Sequence, residues 1–266
     1  MRRTAPVEPV DQTAPPLTGS VLMSQQWRDL TFLHWAVSPD RVAHLMPPHV
    51  APDVTDDGLT YVGLIPFRMV DAGPGRHRPV PWLGSFCETN VRLYSVDRAG
   101  RRGVVFVSLD CERLMVVAGA RACFAVPYRW ARMTHVRTTG PAAASSGPAG
   151  EHHTYRSRVL GRSGLGRPST EVSIRVESPR TPTELDLFVS ARWRLHTHLL
   201  GRTLEVPNEH EPWPLHDAEV LHLRAGLLEE TGFADLAGRR PDHVAFSPGV
   251  HTSFGWPRAA GHPRTG

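Results

Sequence analysis

Five side chains in this 266-residue sequence have the types needed for acid–base work on a small anion: Arg68, Glu88, Arg92, Tyr128 and Arg129. A carboxyl group among guanidinium groups stays ionised unless burial raises its pKa toward the range useful to a general acid or base. Planar, permanently charged guanidinium groups form a fork for a substrate carboxylate, and a tyrosine hydroxyl beside them can donate to a developing oxyanion. Glu88, Tyr128 and Arg129 are therefore the candidate catalytic residues, with Arg68, Asn90, Arg92 and Arg121 as candidate substrate-binding residues. Ion pairs on a surface or inside a barrel would use the same residue types, and spacing alone leaves both readings open.

The chemistry has one hard boundary. All 30 basic residues are arginine, and no lysine occurs anywhere in the chain. An imine with a ketone requires an amine that loses its proton near neutral pH; arginine keeps its proton, and tyrosine has no nitrogen to condense. The remaining primary amine is the terminus at Met1, on a segment expected to be disordered.

These side chains need elements to position them. Abundant glycine and proline, 23 and 25 residues, favour short elements joined by turns over a long-helix bundle. Residues 1–24 read as a disordered tail, 25–255 as one domain and 256–266 as a C-terminal tail. Ser38 and Pro39 are suited to open a short helix that Pro47 and Pro48 stop. Strands are predicted over 60–70 and 87–97, then "VVFVSLD" after the turn "RAGRRG", with more near 131–138, 153–160, 170–177, 192–198 and 216–223. On the second strand Glu88, Asn90, Arg92 and Tyr94 share one face. That face is either exposed or the lining of a polar barrel interior. "CERLMVVAGARACF" has helical spacing with Asp110 as its cap, placing Arg121 on the face of Leu114, Val117 and Ala118. Thr181, Pro182 and Glu184 read as a capping box opening another short helix. Trp82, Phe86, Trp130 and Trp213 are read as core, or alternatively as walls that narrow a cavity. The pattern is α+β and mainly β, a curved sheet or barrel with packed short helices.

Other functions find little support. Fifteen histidines include His196 and His198 on one strand face, with Glu209, His210, Glu211 and His216 nearby in sequence, but there is no H-E-x-x-H, and no metal or cofactor is expected. A G-x-S-x-G elbow and a phosphate loop are both missing; "GRSGLGRP" reads as a loop between strands. Arginines spread among acids give no nucleic-acid stripe. Three cysteines without a C-x-x-C pair, and no apolar leader or span, point to a reduced cytoplasmic setting away from membranes.

Seven segments, "FLHWAVSPDRVAHLMPPHV", "YVGLIPFRM", "ETNVRLY", "VVFVSLD", "FAVPYRWARM", "HEPWPLHDAEV" and "FSPGV", resemble in order and spacing the YqjF-like family of the acetoacetate decarboxylase-like superfamily, over about residues 27–253. The resemblance implies an antiparallel β-barrel with a central cavity and flanking short helices. It also implies homo-oligomers and a small, anionic ligand. The true decarboxylases carry a Schiff-base lysine and a second lysine just after the proline that closes a helix; here Tyr128 and Arg129 hold those places. Glu88 corresponds by position to the cavity glutamate. The expected function is a non-imine enzyme for a small carboxylate or keto compound, or a binding protein with the same cavity.

Overall fold

The computed structural model describes residues 5–76, 78–114, 127–139, 147–160 and 169–261. Among the described residues, extended runs of alternating or wholly apolar residues make thirteen strands, and they join in one sheet. The first four are β1 (Met23–Val37), β2 (Val50–Pro52), β3 (Thr60–Pro74) and β4 (Phe86–Asp97). Next come β5 (Arg102–Cys111), β6 (Tyr128–Thr139), β7 (Glu151–Val159) and β8 (Ser169–Pro179). The last five are β9 (Arg194–Leu199), β10 (Arg202–His210), β11 (His216–Ala225), β12 (His243–Phe254) and β13 (Arg258–Ala259). Among the described residues, four short α-helices accompany them: α1 (Pro39–Val42), α2 (Glu184–Ser190), α3 (Gly226–Glu230) and α4 (Ala234–Ala237).

The sheet closes on itself twice. Nine strands in the order β5-β6-β7-β8-β11-β12-β1-β3-β4 return to β5 through the β4–β5 hairpin and form a barrel. A second ring runs β5-β9-β10-β12-β1-β3-β4 and shares the wall β12-β1-β3-β4-β5 with the first. Closure leaves the shared strands without a free edge. Because side chains alternate, one face of that wall fills each ring. Leu33 and Trp35 of β1, Val62 and Leu64 of β3, and Val91 and Leu93 of β4 pack with Val172, Ile174 and Phe246 in the nine-strand barrel, which α3 and α4 help to fill. The opposite faces, with Phe32, Ile65, Phe67 and Phe86, pack with Trp213 and Leu215; farther along, Tyr94 packs with α2 through Phe188.

This arrangement decides between the two readings of β4. Glu88, Asn90 and Tyr94 are buried, so the polar face lines the second ring and is not solvated. Several other expectations need correction. Residues 5–22 form no regular element but are tied to the body, so the disordered tail expected there does not describe them. The Glu8 N–H donates to Gly100 O at 2.9 Å, its carboxylate accepts from Arg102 N at 2.7 Å and Arg194 Nη1 at 2.5 Å, and Trp193 Nε1 donates to Asp11 O. Gly100, at φ +77°, lets this strap pass: a Cβ there would lie 1.9 Å from Pro6 O. The C-terminal tail expected from 256 contributes β13, which pairs with β10. The capping box of α2 lies two residues beyond the predicted one, with Thr183 as N-cap and Asp186 as its reciprocal partner. Ser38 and Pro39 do open α1, although the Ser38 side chain makes no cap bond. Asp110 belongs to β5, and its carboxylate is held by Arg129 and Ser157. The helix predicted over 111–124 lies, from 115 onward, outside the described residues, and Arg121 with it. Among the described residues, no helix is long and apolar enough to cross a membrane.

Candidate functional site

Glu88 sits in the middle of the shared wall, paired across β3 with Phe67 and across β5 with Cys111. Its position on β4 turns the side chain into the second ring, among Phe67, Phe86, Cys111 and Trp213, and only 3% of the residue is exposed. Two donors reach its carboxyl group. Tyr128, the first residue of β6, donates its hydroxyl to Oε2 at 2.8 Å, and Asn90 Nδ2 donates to Oε1 at 3.2 Å. Pro127 precedes Tyr128, and its carbonyl accepts from Leu109 N, which docks β6 alongside β5 in parallel and aims the phenol across at Glu88.

Burial is the larger electrostatic effect. It raises the Glu88 pKa from its ordinary 4.5 to about 7, against the lowering effect of the bonds from Tyr128 and Asn90. Burial and the neighbouring carboxylate push the Tyr128 phenol well above its usual range. The pair therefore holds two protons at low pH and one above neutrality, and the phenol keeps its own throughout. Cys111, next to Glu88, is also pushed up by burial and is no nucleophile at neutral pH. Asn90 Oδ1 has no hydrogen-bond partner among the described residues, which leaves a buried acceptor facing the same interior.

The remaining predicted residues are dispersed. Arg92 shares the face of Glu88 and lies farther along β4; its Nε donates to the Tyr94 hydroxyl at 3.1 Å and its Nη2 to Val189 O at 2.9 Å. Arg129, adjacent to Tyr128, points to the opposite face of β6, where it pairs with Asp110 and Glu230. Arg68 also faces away from the Phe67 side and pairs with Asp29. Neither contacts the Glu88 carboxyl group. Of the aromatic residues, Phe86 and Trp213 are core, while Trp82 is 72% exposed and Trp130 40%.

Sequence spacing missed a second set of polar residues in the same ring. His34 and His243 are buried on β1 and β12 and join Tyr94 to Asp186 on α2. His34 stands in an apolar run, "TFLHWAV", and a histidine between Leu33 and Trp35 is the signal that could have marked it. The expected histidine grouping also changes. Among the described residues, the acids and imidazole with metal-ligand spacing are Asp97, His196 and Glu205, while His198 is exposed. Arg101 pairs with both carboxylates, and Arg194 and Arg258 pair with Glu205. A dication would sit against three guanidinium groups, so this donor set fits a structural ion network better than a metal site.

The chain belongs to the DUF2071 family, described as an uncharacterized conserved protein, whose model matches residues 24–251. It is 30% identical over 203 residues to the uncharacterized protein YqjF of Bacillus subtilis (strain 168), which covers 76% of this chain and 78% of YqjF. Among solved structures, the enduracididine biosynthesis enzyme MppR complexed with pyruvate superposes with a TM-score of 0.58 at 16% identity, over 91% of each chain. An acetoacetate decarboxylase-like enzyme from Sphingomonas wittichii RW1 gives 0.58 at 12%, over 93% of this chain and 96% of that one. At these identities the likeness shows the fold, an acetoacetate decarboxylase-like β-barrel.

Proposed function

From this family's fold and the Glu88–Tyr128 pair, we propose an enzyme that moves a proton on a small carboxylate or keto compound without forming an imine. The observation that carries the reading is a buried carboxyl group with a pKa of about 7, hydrogen-bonded to a phenol at 2.8 Å. A general base works best when its pKa lies near the working pH, and Glu88 meets that condition through desolvation. In the step we assign, a C–H bond next to the substrate carbonyl breaks and its proton passes to Glu88. The electron pair becomes an enolate. Protonated Glu88 can then donate to the Tyr128 oxygen, which frees the phenol hydrogen for the enolate oxygen. Arg92 holds the substrate carboxylate in this reading. Support for an anionic keto ligand comes from the like-folded MppR, whose structure holds pyruvate.

A second reading, a binding or sensing protein without turnover, draws on the same interior: Glu88, Tyr128 and Asn90 already bond to one another. Deuterium uptake at the methyl group of pyruvate, or at the equivalent carbon in a panel of keto acids, separates the two. Exchange by the wild type, abolished in Glu88→Gln with binding kept within a few fold, supports the enzyme. Binding without exchange by either form supports the sensor.

A further inference from the structure

Beyond the Glu88 pair, a chain of hydrogen bonds crosses the same wall farther along, in the row of Gly63 and Arg92. Gly63 of β3 lies in register between His34 of β1 and Arg92 of β4. A Cβ on Gly63 would come to 3.0 Å from the His34 ring and 3.3 Å from Arg92 Cγ. The glycine thus makes room for both side chains in one layer. Arg92 Nε meets the Tyr94 hydroxyl at 3.1 Å, which meets His34 Nε2 at 2.5 Å. His34 Nδ1 meets His243 Nδ1 at 3.0 Å, and His243 Nε2 meets Asp186 Oδ1 at 2.7 Å.

With both imidazoles neutral, the two ends fix the direction of every bond. Burial alone would raise the Asp186 pKa, but bonds from His243 and Thr183 outweigh it and hold the carboxyl well below its ordinary range, so it only accepts. His243 must therefore carry its proton on Nε2, which leaves Nδ1 bare. Arg180 Nη2 lies 3.1 Å from that Nε2 and also pairs with Asp186, where its proton is accepted. Bare Nδ1 of His243 requires N–H on Nδ1 of His34, and so a lone pair on His34 Nε2. That lone pair takes the Tyr94 O–H. The Tyr94 oxygen is then free to accept from Arg92, which can only donate. Burial, with His243 and Arg92 nearby, holds His34 neutral.

We propose that Asp186, His243, His34 and Tyr94 are positioning residues, a tautomer-locked chain that sets the Arg92 guanidinium in the interior of the second ring to receive the anionic end of the ligand. The chain orients Nε, Val189 O orients Nη2, and the rings of Phe32 and Tyr94 flank the group at 5.5 and 5.6 Å. The assignment rests on the ligand reading under Proposed function, but its first test does not. Nitrogen-15 spectra of histidine-labelled wild-type protein at pH 7.5 should show His34 protonated on Nδ1 alone and His243 on Nε2 alone. The opposite tautomer at either ring, or a doubly protonated His243, overturns the lock. The second test is Tyr94→Phe, which keeps the ring and removes the acceptor for Arg92. Affinity for pyruvate or another bound acid should fall about tenfold, the scale of one hydrogen bond to a charged group, while the titration of Glu88 stays in place. Unchanged affinity overturns the positioning role. Should Tyr94→Phe fail to fold, Gly63→Ala, which must displace His34 or Arg92, should give the same loss, and unaltered affinity again counts against the role. If the wild type binds no keto or hydroxy acid at all, the ligand reading fails, and with it the role of Arg92; the tautomers still decide whether the lock exists.

Discussion

Replacing Glu88 by glutamine should stabilise the folded protein, and only above mildly acidic pH. The folded-state pKa, about 7, lies above the ordinary 4.5. Between these values the folded chain keeps a proton that the unfolded chain has lost, so stability falls as pH rises. Below 4.5 both states are protonated and the carboxyl group costs nothing; above 7 both are ionised and the cost is constant. At about 1.4 kcal/mol per pH unit the full penalty is about 3 kcal/mol. Glutamine removes it and fits the site: its oxygen accepts from Tyr128, and a turned Asn90 amide can present the now unpartnered Oδ1 to the new N–H. Urea unfolding of wild type and Glu88→Gln should therefore give similar stabilities at pH 4.5. The mutant should gain progressively to pH 7, then hold a constant advantage. A difference independent of pH, or a wild type favoured at pH 8, would refute the argument that desolvation governs this carboxyl group.

Other perturbations follow from the same contacts. Tyr128→Phe removes a donor that lowers the Glu88 pKa, so the Glu88 titration should move to higher pH; movement downward contradicts the assigned hydrogen bond. Arg129→Ala leaves buried Asp110 with the Ser157 bond but no ion pair, which should cost about 3 kcal/mol of stability without moving the Glu88 midpoint, as urea unfolding and carboxyl titration can check. Glu8→Ala unties the strap from Arg102 and Arg194, and cleavage within residues 5–22 under limited proteolysis should become faster than in the wild type. Borohydride treatment in the presence of pyruvate should leave every side chain at its unmodified mass, because the chain contains no lysine; a reduced adduct on a side chain would contradict the non-imine reading.

The β4 stripe illustrates what the sequence could and could not convey. Period-two alternation placed Glu88, Asn90, Arg92 and Tyr94 on one face, but not on which side of the wall the solvent lies; two ring closures, both dependent on distant strands, decide that. The turn after Asp97 was legible because turn chemistry is local. Arg129 and Arg68 were grouped with Glu88 by residue type and proximity in sequence, yet strand alternation sends Arg129 to the face opposite Tyr128, where Asp110 neutralises it. β1 lacked the alternating pattern because it is buried on both faces through Leu33–Trp35 and carries a register shift after Arg28. The His34–His243 contact joins residues 209 apart in the chain, which no spacing rule links. The strap was read as disordered from its proline and threonine content, and a single carboxylate, Glu8, with two arginine partners overrides that composition.

One buried carboxyl group, Glu88 inside the second ring, exchanges its proton near neutral pH. Carbon-13 titration of glutamate-labelled protein, with the Glu88 signal identified by its loss in Glu88→Gln, measures this directly. A midpoint near pH 7 that rises further in Tyr128→Phe is the expected result. A midpoint near the ordinary value of 4.5 would contradict it.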